Sequence, residues 1–156
     1  MKIAITSDHA GVNLKKVLKE HVEKKGISVE DLGPYDEQSV DYPDYAKLLT
    51  KKVVDKDVDL GIAICGTGVG MSIACNKVRG IRASLCSDTV SAKFTRLHNN
   101  SNVLCLGARI IGDELAKAIV DEYLSNEYEG GRHQRRIEKL EGEDNEQSDC
   151  FRSSVN

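Results

Sequence analysis

Three near-continuous apolar runs constrain the fold of this chain most. They are Leu60–Cys65, Ile81–Cys86 and Val103–Leu106. Near-continuous apolar runs of this kind are typical of strands in a parallel sheet that is covered on both faces. Two further segments, Lys2–Thr6 and Ile27–Leu32, also have the pattern of strands. The sequence therefore predicts a sheet of five strands.

Segments with helical periodicity lie between these strands. Gly11–Lys25 places its apolar side chains on one helical face, and a second helix is expected after Pro43, near its first turn. A third helix is expected over Asp88–Leu97, with Ser87 or Asp88 as its N-terminal cap. A fourth helix is expected over Gly112–Ser125. The expected inner faces are Leu14, Val17, Leu18, His21 and Val22; Tyr45, Leu48, Leu49, Lys52 and Val53; and Leu115, Ala116, Ile119, Val120 and Tyr123. Strands that alternate with helices predict an open α/β sandwich.

The C-terminal part of the chain differs from this pattern. Arg132–Leu140 has the pattern of a short helix with little apolar face, and we expect it to dock elsewhere, for example on a second subunit. Residues 141–156 are polar and largely aperiodic, which is typical of a loosely ordered tail. The chain of 156 residues is the right size for one domain, over residues 1–140, followed by that tail.

Composition disfavours several classes of protein. A net charge of -3, with no Trp and no basic stripe, argues against a nucleic-acid partner. The sequence has no signal-peptide core and no apolar stretch of about 18 residues, so neither secretion nor a membrane span is expected. The five cysteines form no C-x-x-C pair, which indicates neither a disulfide framework nor a zinc site and suits a reducing cytoplasm.

The expected chemistry lies just after the strands, because ligands bind at the carboxyl ends of an open parallel sheet. Ser7-Asp-His-Ala-Gly11 follows the first strand, and Cys65-Gly-Thr-Gly-Val-Gly70 follows the third. The glycines of the second turn can direct several backbone N–H groups at an oxyanion or a phosphate. Its spacing matches neither a dinucleotide fingerprint nor a P-loop. The alternative is that these glycines only form a tight turn.

Several polar residues are open to two interpretations. Cys65 at a buried strand end is either packing or, beside the positive end of the following helix, a thiolate able to remove a proton. His98 and Asn99 are either polar helix-end residues or site residues, and Asp8 is either a site residue or a helix cap. Arg132 and Arg136 are four residues apart, so they form either a phosphate clamp or a solvated face. The remaining cysteines before the tail are expected to be core residues: Cys75, Cys86 and Cys105.

Five motifs taken together resemble one enzyme family. They are Ser7-Asp-His-Ala-Gly11, Asp41-Tyr-Pro43, Cys65-Gly-Thr-Gly-Val-Gly70, His98-Asn99 and Gly130-Gly-Arg-His133, in that order. The chain resembles ribose-5-phosphate isomerase B over about residues 1 to 140. The resemblance implies a Rossmann-like α/β/α sandwich that forms a homodimer, or alternatively a tetramer, with each active site built from two subunits. It implies a phosphorylated sugar as substrate and neither a metal nor an organic cofactor.

The resemblance also implies a role for each site residue. Cys65 would be the base that moves a proton from C2 to C1 of the open-chain sugar, and His98 would be the acid that opens the sugar ring. Asp8 and Thr67 would handle hydroxyl protons. The enediolate would be held by the amides of Gly66, Gly68, Val69 and Gly70. The phosphate would be bound by His9, Arg109, Arg132 and Arg136, while Asn99 would contact sugar hydroxyls and Tyr42 would line the pocket.

Ribose 5-phosphate is the expected substrate, with two alternatives. The first is an isomerase of 6-phosphorylated hexoses, such as allose or galactose 6-phosphate, because no motif sets the length of the pocket and one extra carbon is a modest discrimination. The second is a non-catalytic nucleotide- or phosphate-binding module that uses Gly66–Gly70 only as an anion cradle. A catalytic role of Cys65 would distinguish the two isomerase hypotheses from the hypothesis of a binding module.

Overall fold

A computed structural model describes residues 1–142, and its centre is a parallel sheet of five strands in the order β2-β1-β3-β5-β4. Every neighbouring pair of strands in this order is parallel. The strands are β1 (Lys2–Ser7), β2 (Ser28–Asp31), β3 (Leu60–Cys65), β4 (Ala83–Leu85) and β5 (Val103–Gly107). Each of the five predicted segments therefore contains a strand.

Residues 1–142 contain six α-helices, five of which cover the two faces of this sheet. They are α1 (Val12–Glu23), α2 (Tyr42–Val54), α3 (Val69–Asn76), α4 (Thr89–Asn99), α5 (Asp113–Ser125) and α6 (Gln134–Glu141). Helices α1, α4 and α5 pack on one face of the sheet, and α2 and α3 pack on the other. Asp88 caps α4 by accepting a hydrogen bond from the Ser91 N–H at 2.7 Å. The three-layer α/β/α fold is confirmed.

The central strands divide their side chains between the two layers. Ile62 of β3 faces α1 and α5, whereas its neighbour Ala63 faces α2 and α3, and both are fully buried. The prediction that Ile81–Cys86 forms a strand covered on both faces is wrong. Only Ala83–Leu85 is a strand, it lies at the edge of the sheet, and Leu85 is 42% exposed.

Two predicted helix faces are rotated from their expected positions. In α2, Leu48 is exposed, while Ala46 and Thr50 are buried beside Leu49 and Val53. In α5, Leu115 is exposed, and the buried face extends instead to Leu124. A hydrophobic stripe of this width is compatible with more than one rotation of the helix, and packing against the sheet selects one of them.

Helix α6 contacts its own chain through one buried side chain and its last residue, and its docking on a second subunit stays a prediction. Its Ile137 is buried, and Glu141, which the sequence assigned to the tail, ends the helix in an ion pair with Arg82. The rest of the predicted tail, residues 143–156, lies outside the described residues. No helix among residues 1–142 is both long enough and apolar enough to cross a membrane.

The strand order sets the position of a crevice. The chain leaves β1 for β2 on one side and then crosses to β3 on the other side of β1. In open α/β sheets the ligand crevice lies outside the carboxyl ends of the strands at such a switch point. Here the two strand ends are those of Ser7 in β1 and Cys65 in β3, since β1 and β3 are paired up to Ser7 and Ile64.

Candidate active site

Cys65 is the last residue of β3, and its sulfur meets the loop that follows. The Gly68 N–H donates to Cys65 Sγ at 3.1 Å. Gly68 has φ +78°, a left-handed conformation that side chains other than glycine rarely adopt, and α3 begins at the next residue. The sulfur therefore accepts a hydrogen bond from a backbone amide just before the N-terminus of α3. Cys65 itself is only 5% exposed in the single chain.

The loop Gly66–Gly70, called the glycine loop below, is fixed to the turn after β5. The Ala108 N–H donates to the Cys65 carbonyl and the Arg109 N–H to the Gly66 carbonyl, both at 2.9 Å. A Cβ at Gly66 would lie 3.2 Å from Arg109 Nη1, so the Arg109 guanidinium lies directly over this glycine. The backbone fold of the turn thus brings a cation to the loop.

Tyr42 covers the other end of the glycine loop. A Cβ at Gly70 would lie 2.9 Å from Cζ of the Tyr42 ring, closer than real Cβ contacts. Within the loop, Thr67 Oγ1 accepts a hydrogen bond from the Val69 N–H at 3.3 Å. Gly66 and Gly70 therefore permit the close approach of Arg109 and Tyr42, which a tight turn alone would not require.

The turn after β1 lies against the end of β3. The Asp8 N–H donates to the Ile64 carbonyl at 2.9 Å, so Asp8 follows β1 next to Cys65. The Asp8 Oδ1 accepts from the Ala10 and Gly11 N–H groups at 2.9 and 3.2 Å. Asp8 thus caps the short 3-10 turn His9–Gly11 that precedes α1, not α1 itself, and its buried carboxylate is held in place by these bonds.

His9 is held by a residue that sequence reasoning missed. The Val40 N–H donates to His9 Nδ1 at 3.3 Å, so a neutral His9 carries its hydrogen on Nε2. Val40 lies in the irregular segment between β2 and α2, where no periodicity signals a contact. The bond fixes which ring nitrogen of His9 can donate to an anion.

These residues form one set at the carboxyl edge of the sheet, the carboxyl-edge group. Its members are Asp8, His9, Tyr42, Cys65, Gly66, Thr67, Gly68, Val69, Gly70 and Arg109. Ten of the fourteen site residues proposed from the sequence therefore come together in one chain.

The other four, His98, Asn99, Arg132 and Arg136, lie at the opposite edge and form the amino-edge group. His98 and Asn99 end α4, which returns the chain to the start of β5. His133, next to Arg132, stacks on His98 with ring centroids 4.3 Å apart. The last residue of α6, the helix that carries Arg136, forms an ion pair with Arg82, which lies just before β4. The six residues of β3 that separate the edges span about 17 Å. A single chain therefore does not bring His98 to Cys65.

The other described cysteines are core residues, as predicted. Cys75, Cys86 and Cys105 are buried free thiols. Burial raises the pKa of Cys86 to about 11. A hydrogen bond with Cys75, together with burial, raises the pKa of Cys105 well above its usual range. Thiols with raised pKa values are poor nucleophiles and bases at neutral pH.

Comparison with known proteins agrees with this geometry. The sequence model of the Ribose/Galactose Isomerase family matches residues 3–140. The chain belongs to the ribose/galactose isomerase family. Within this isomerase family, ribose-5-phosphate isomerase B of Escherichia coli is 50% identical over 139 residues, which cover 89% of this chain and 93% of that protein.

Solved structures of family members share the fold. The ribose 5-phosphate isomerase of Thermotoga maritima is 54% identical with a TM-score of 0.88, covering 90% of this chain and 97% of that one. Ribose-5-phosphate isomerase B from Mycoplasma genitalium, solved with bound ribulose-5-phosphate, is 49% identical with a TM-score of 0.85, covering 90% and 93%. Family membership thus covers nearly the whole described chain.

Proposed function

We propose that this isomerase interconverts D-ribose 5-phosphate and D-ribulose 5-phosphate through a cis-enediolate. The observation that carries the proposal is the Cys65 sulfur at a strand end, in hydrogen-bond contact with the Gly68 amide of the glycine loop. The relatives from E. coli and M. genitalium, which bear the name ribose-5-phosphate isomerase B, support the choice of sugar. The reaction places this enzyme in the pentose phosphate pathway.

In the proposed reaction His98 first donates a proton to the ring oxygen O4 as the C1–O4 bond breaks, while Asp8 takes the proton of the O1 hydroxyl, so that the open-chain aldehyde forms. The Cys65 thiolate then removes the proton from C2 and returns it to C1, while Asp8 and Thr67 move a proton between the O1 and O2 oxygens. The carbonyl passes from C1 to C2, with no net change in atoms or electrons. The glycine-loop amides would stabilise the enediolate charge, an effect worth about 3 kcal/mol for one well-placed donor.

In this proposal cations hold the substrate phosphate. Arg109 lies over the glycine loop, and His9 is the second phosphate ligand at the carboxyl edge. Arg132 and Arg136 would complete the phosphate site, since guanidinium groups pair with phosphate oxygens bidentately. Asn99 contacts sugar hydroxyls, and Tyr42 lines the pocket.

The proposed site requires a second subunit, so we propose a homodimer. The carboxyl-edge and amino-edge groups lie toward opposite ends of β3, whose six residues span about 17 Å. A two-fold dimer would place the amino edge of one chain against the carboxyl edge of the other, twice. Exposed apolar side chains in the glycine loop and in neighbouring elements suit such an interface: Val69 in the loop, and Ile73, Leu85 and Ile110 outside it.

We also propose that the enzyme works in the cytoplasm. The proposed base must be a free thiol, and Cys65, Cys75, Cys86 and Cys105 are all unpaired in the structure. A reducing compartment maintains free thiols.

Substrate choice is tested by assaying the purified protein with ribose 5-phosphate, allose 6-phosphate and galactose 6-phosphate in parallel. We expect kcat/KM for ribose 5-phosphate to exceed the hexose values by at least about tenfold, because one misplaced carbon in a pocket costs roughly 1–3 kcal/mol. The family description names galactose as well as ribose. A larger kcat/KM for either hexose phosphate would show that ribose 5-phosphate is not the preferred substrate. The assignment as a sugar-phosphate isomerase would still stand.

The role of Cys65 is tested with Cys65→Ala. We expect ketose formation to fall at least about a thousandfold while ribose 5-phosphate still binds, because the variant removes the proton acceptor and leaves the phosphate ligands. Isothermal titration calorimetry measures the retained binding. Cys75→Ala is the matched control for loss of a buried thiol. Turnover that survives in Cys65→Ala would reject Cys65 as the base.

A further inference from the structure

The His98 ring lies between two other rings. Phe94, one helical turn earlier in α4, lies 4.9 Å from it between centroids at an interplanar angle of 40°. His133 stacks on it at 4.3 Å and 16°. Because His133 is buried and belongs to the turn before α6, the orientation of the His98 ring depends on a second element of the chain.

Glu129 lies beside the ring nitrogens of this pair. Its N–H donates to the Leu97 carbonyl at 3.0 Å, which fixes its backbone to the last turn of α4. Its Oε2 lies 3.8 Å from His98 Nε2 and 3.7 Å from His133 Nε2. These distances are too long for hydrogen bonds, so the carboxylate acts on the two rings through its charge.

The three side chains do not favour a metal ion, although their ligand atoms lie within 4.8 Å of one another. The two imidazoles are nearly parallel, so the lone pairs of their nitrogens run side by side and do not converge on one point. A proton held by one ring fits this arrangement better. Burial, with the nearby His98, Arg132 and Arg136, lowers the pKa of His133 against the opposing effect of Glu129, which favours a neutral His133.

We propose that Glu129 is a positioning residue for His98. Its carboxylate favours the protonated His98 that ring opening requires, and neutral His133 holds the ring plane through stacking. This inference rests on the proposed function, in which His98 donates to the ring oxygen. The charged groups that face the His98–His133 pair are Glu129 from the preceding loop, Arg132 from the turn and Arg136 from α6.

The chemistry of the two sugars separates ring opening from the proton transfer at carbon. Ribose 5-phosphate is cyclic and must be opened. Ribulose 5-phosphate cannot close a five-membered ring, because its carbonyl is at C2 and its O5 is esterified. Exchange of the C1 hydrogen of ribulose 5-phosphate with deuterium from the solvent therefore needs Cys65 but not His98.

The test is Glu129→Gln, with Glu127→Gln as the matched control. Glu127 is an exposed carboxylate two residues away to which we assign no role. We measure turnover of ribose 5-phosphate between pH 6 and 8.5, and C1 exchange of ribulose 5-phosphate by proton NMR in heavy water. For Glu129→Gln we expect turnover about 3- to 10-fold lower at pH 8, the range for loss of a half-exposed charge near an imidazole. We expect nearly full turnover at pH 6 and unchanged exchange.

Other outcomes overturn the inference. Equal loss of turnover at pH 6 and pH 8 would indicate a structural role, and a parallel loss of C1 exchange would place Glu129 in the carbon chemistry. Unchanged turnover in Glu129→Gln at every pH would show that Glu129 does not position His98. His133→Phe, which keeps a stacked ring, should retain turnover that His133→Ala loses; equal losses would refute the stacking role. An absence of C1 exchange in the wild type would refute the proposed function itself.

Discussion

The three glycines after Cys65 meet different steric requirements at the scale of single residues. Gly66 and Gly70 leave room for Arg109 and Tyr42, whereas Gly68 turns the chain with φ +78° so that its own N–H reaches the Cys65 sulfur. A Cβ at Gly68 would lie 2.4 Å from Leu85 Cδ1 and 2.9 Å from the Leu106 carbonyl carbon. The conformation and the packing both exclude a side chain there.

Gly68→Ala should therefore damage the site and the fold together. We expect the free energy of unfolding to fall by about 2–4 kcal/mol, from the left-handed backbone and the contact with β5, measured by urea unfolding. We also expect kcat to fall at least about tenfold, because the amide moves away from the sulfur.

Gly80→Ala is the matched control for the backbone effect. Gly80 has φ +82°, and a Cβ added there would have nothing within 4 Å, so only the conformational cost of about 1 kcal/mol is expected, with unchanged kcat. If Gly68→Ala loses no more stability than Gly80→Ala and keeps full turnover, the role of the Gly68 amide is contradicted.

At the scale of the elements, the sequence predicted which segments form strands but not their order. Apolar runs depend on burial, so the interior strands β3 and β5 had the expected pattern. Ile81–Cys86 has a similar pattern in the sequence, but its strand β4 lies at the edge of the sheet. No local signal records that β4 lies outside β5. The sequence grouped His98 and Cys65 by family resemblance, although His98 precedes a strand and Cys65 follows one. That difference alone indicates opposite edges of a parallel sheet.

Helix α6 presents Arg135 and Arg136 as neighbours with different expected roles. Arg136 lies in α6 four residues after Arg132 of the preceding turn, whereas Arg135 points about 100° away from Arg136 around the helix. Arg136→Ala should raise the KM for ribose 5-phosphate at least about tenfold with kcat within about threefold, because phosphate contacts bind substrate and transition state alike. Arg135→Ala should change neither. Steady-state kinetics of both variants decide this, and an unchanged KM in Arg136→Ala would remove it from the phosphate site.

At the scale of the whole molecule, one chain holds two halves of the proposed site, at opposite edges of the sheet. The carboxyl-edge group has the base and the glycine loop, and the amino-edge group has the ring-opening acid and two arginines. Helices of an α/β sheet return the chain to the amino edge, so residues at the end of α4 cannot reach the end of β3 in the same subunit. The dimer is therefore part of the proposed catalytic mechanism.

This arrangement makes subunit mixing a direct test. Cys65→Ala and His98→Ala each damage both sites of their own homodimer. In a mixed dimer, one site combines both substitutions, while the other combines an intact Cys65 from one chain with an intact His98 from its partner. After random reassortment half of the dimers are mixed, so ribose 5-phosphate turnover should return to about one quarter of the wild-type value. Mixing Cys65→Ala with Cys65→Ser should restore nothing, since no dimer then has an intact base. If the first mixture also stays inactive although mass spectrometry detects the mixed dimer, the two halves of the site do not come from different subunits.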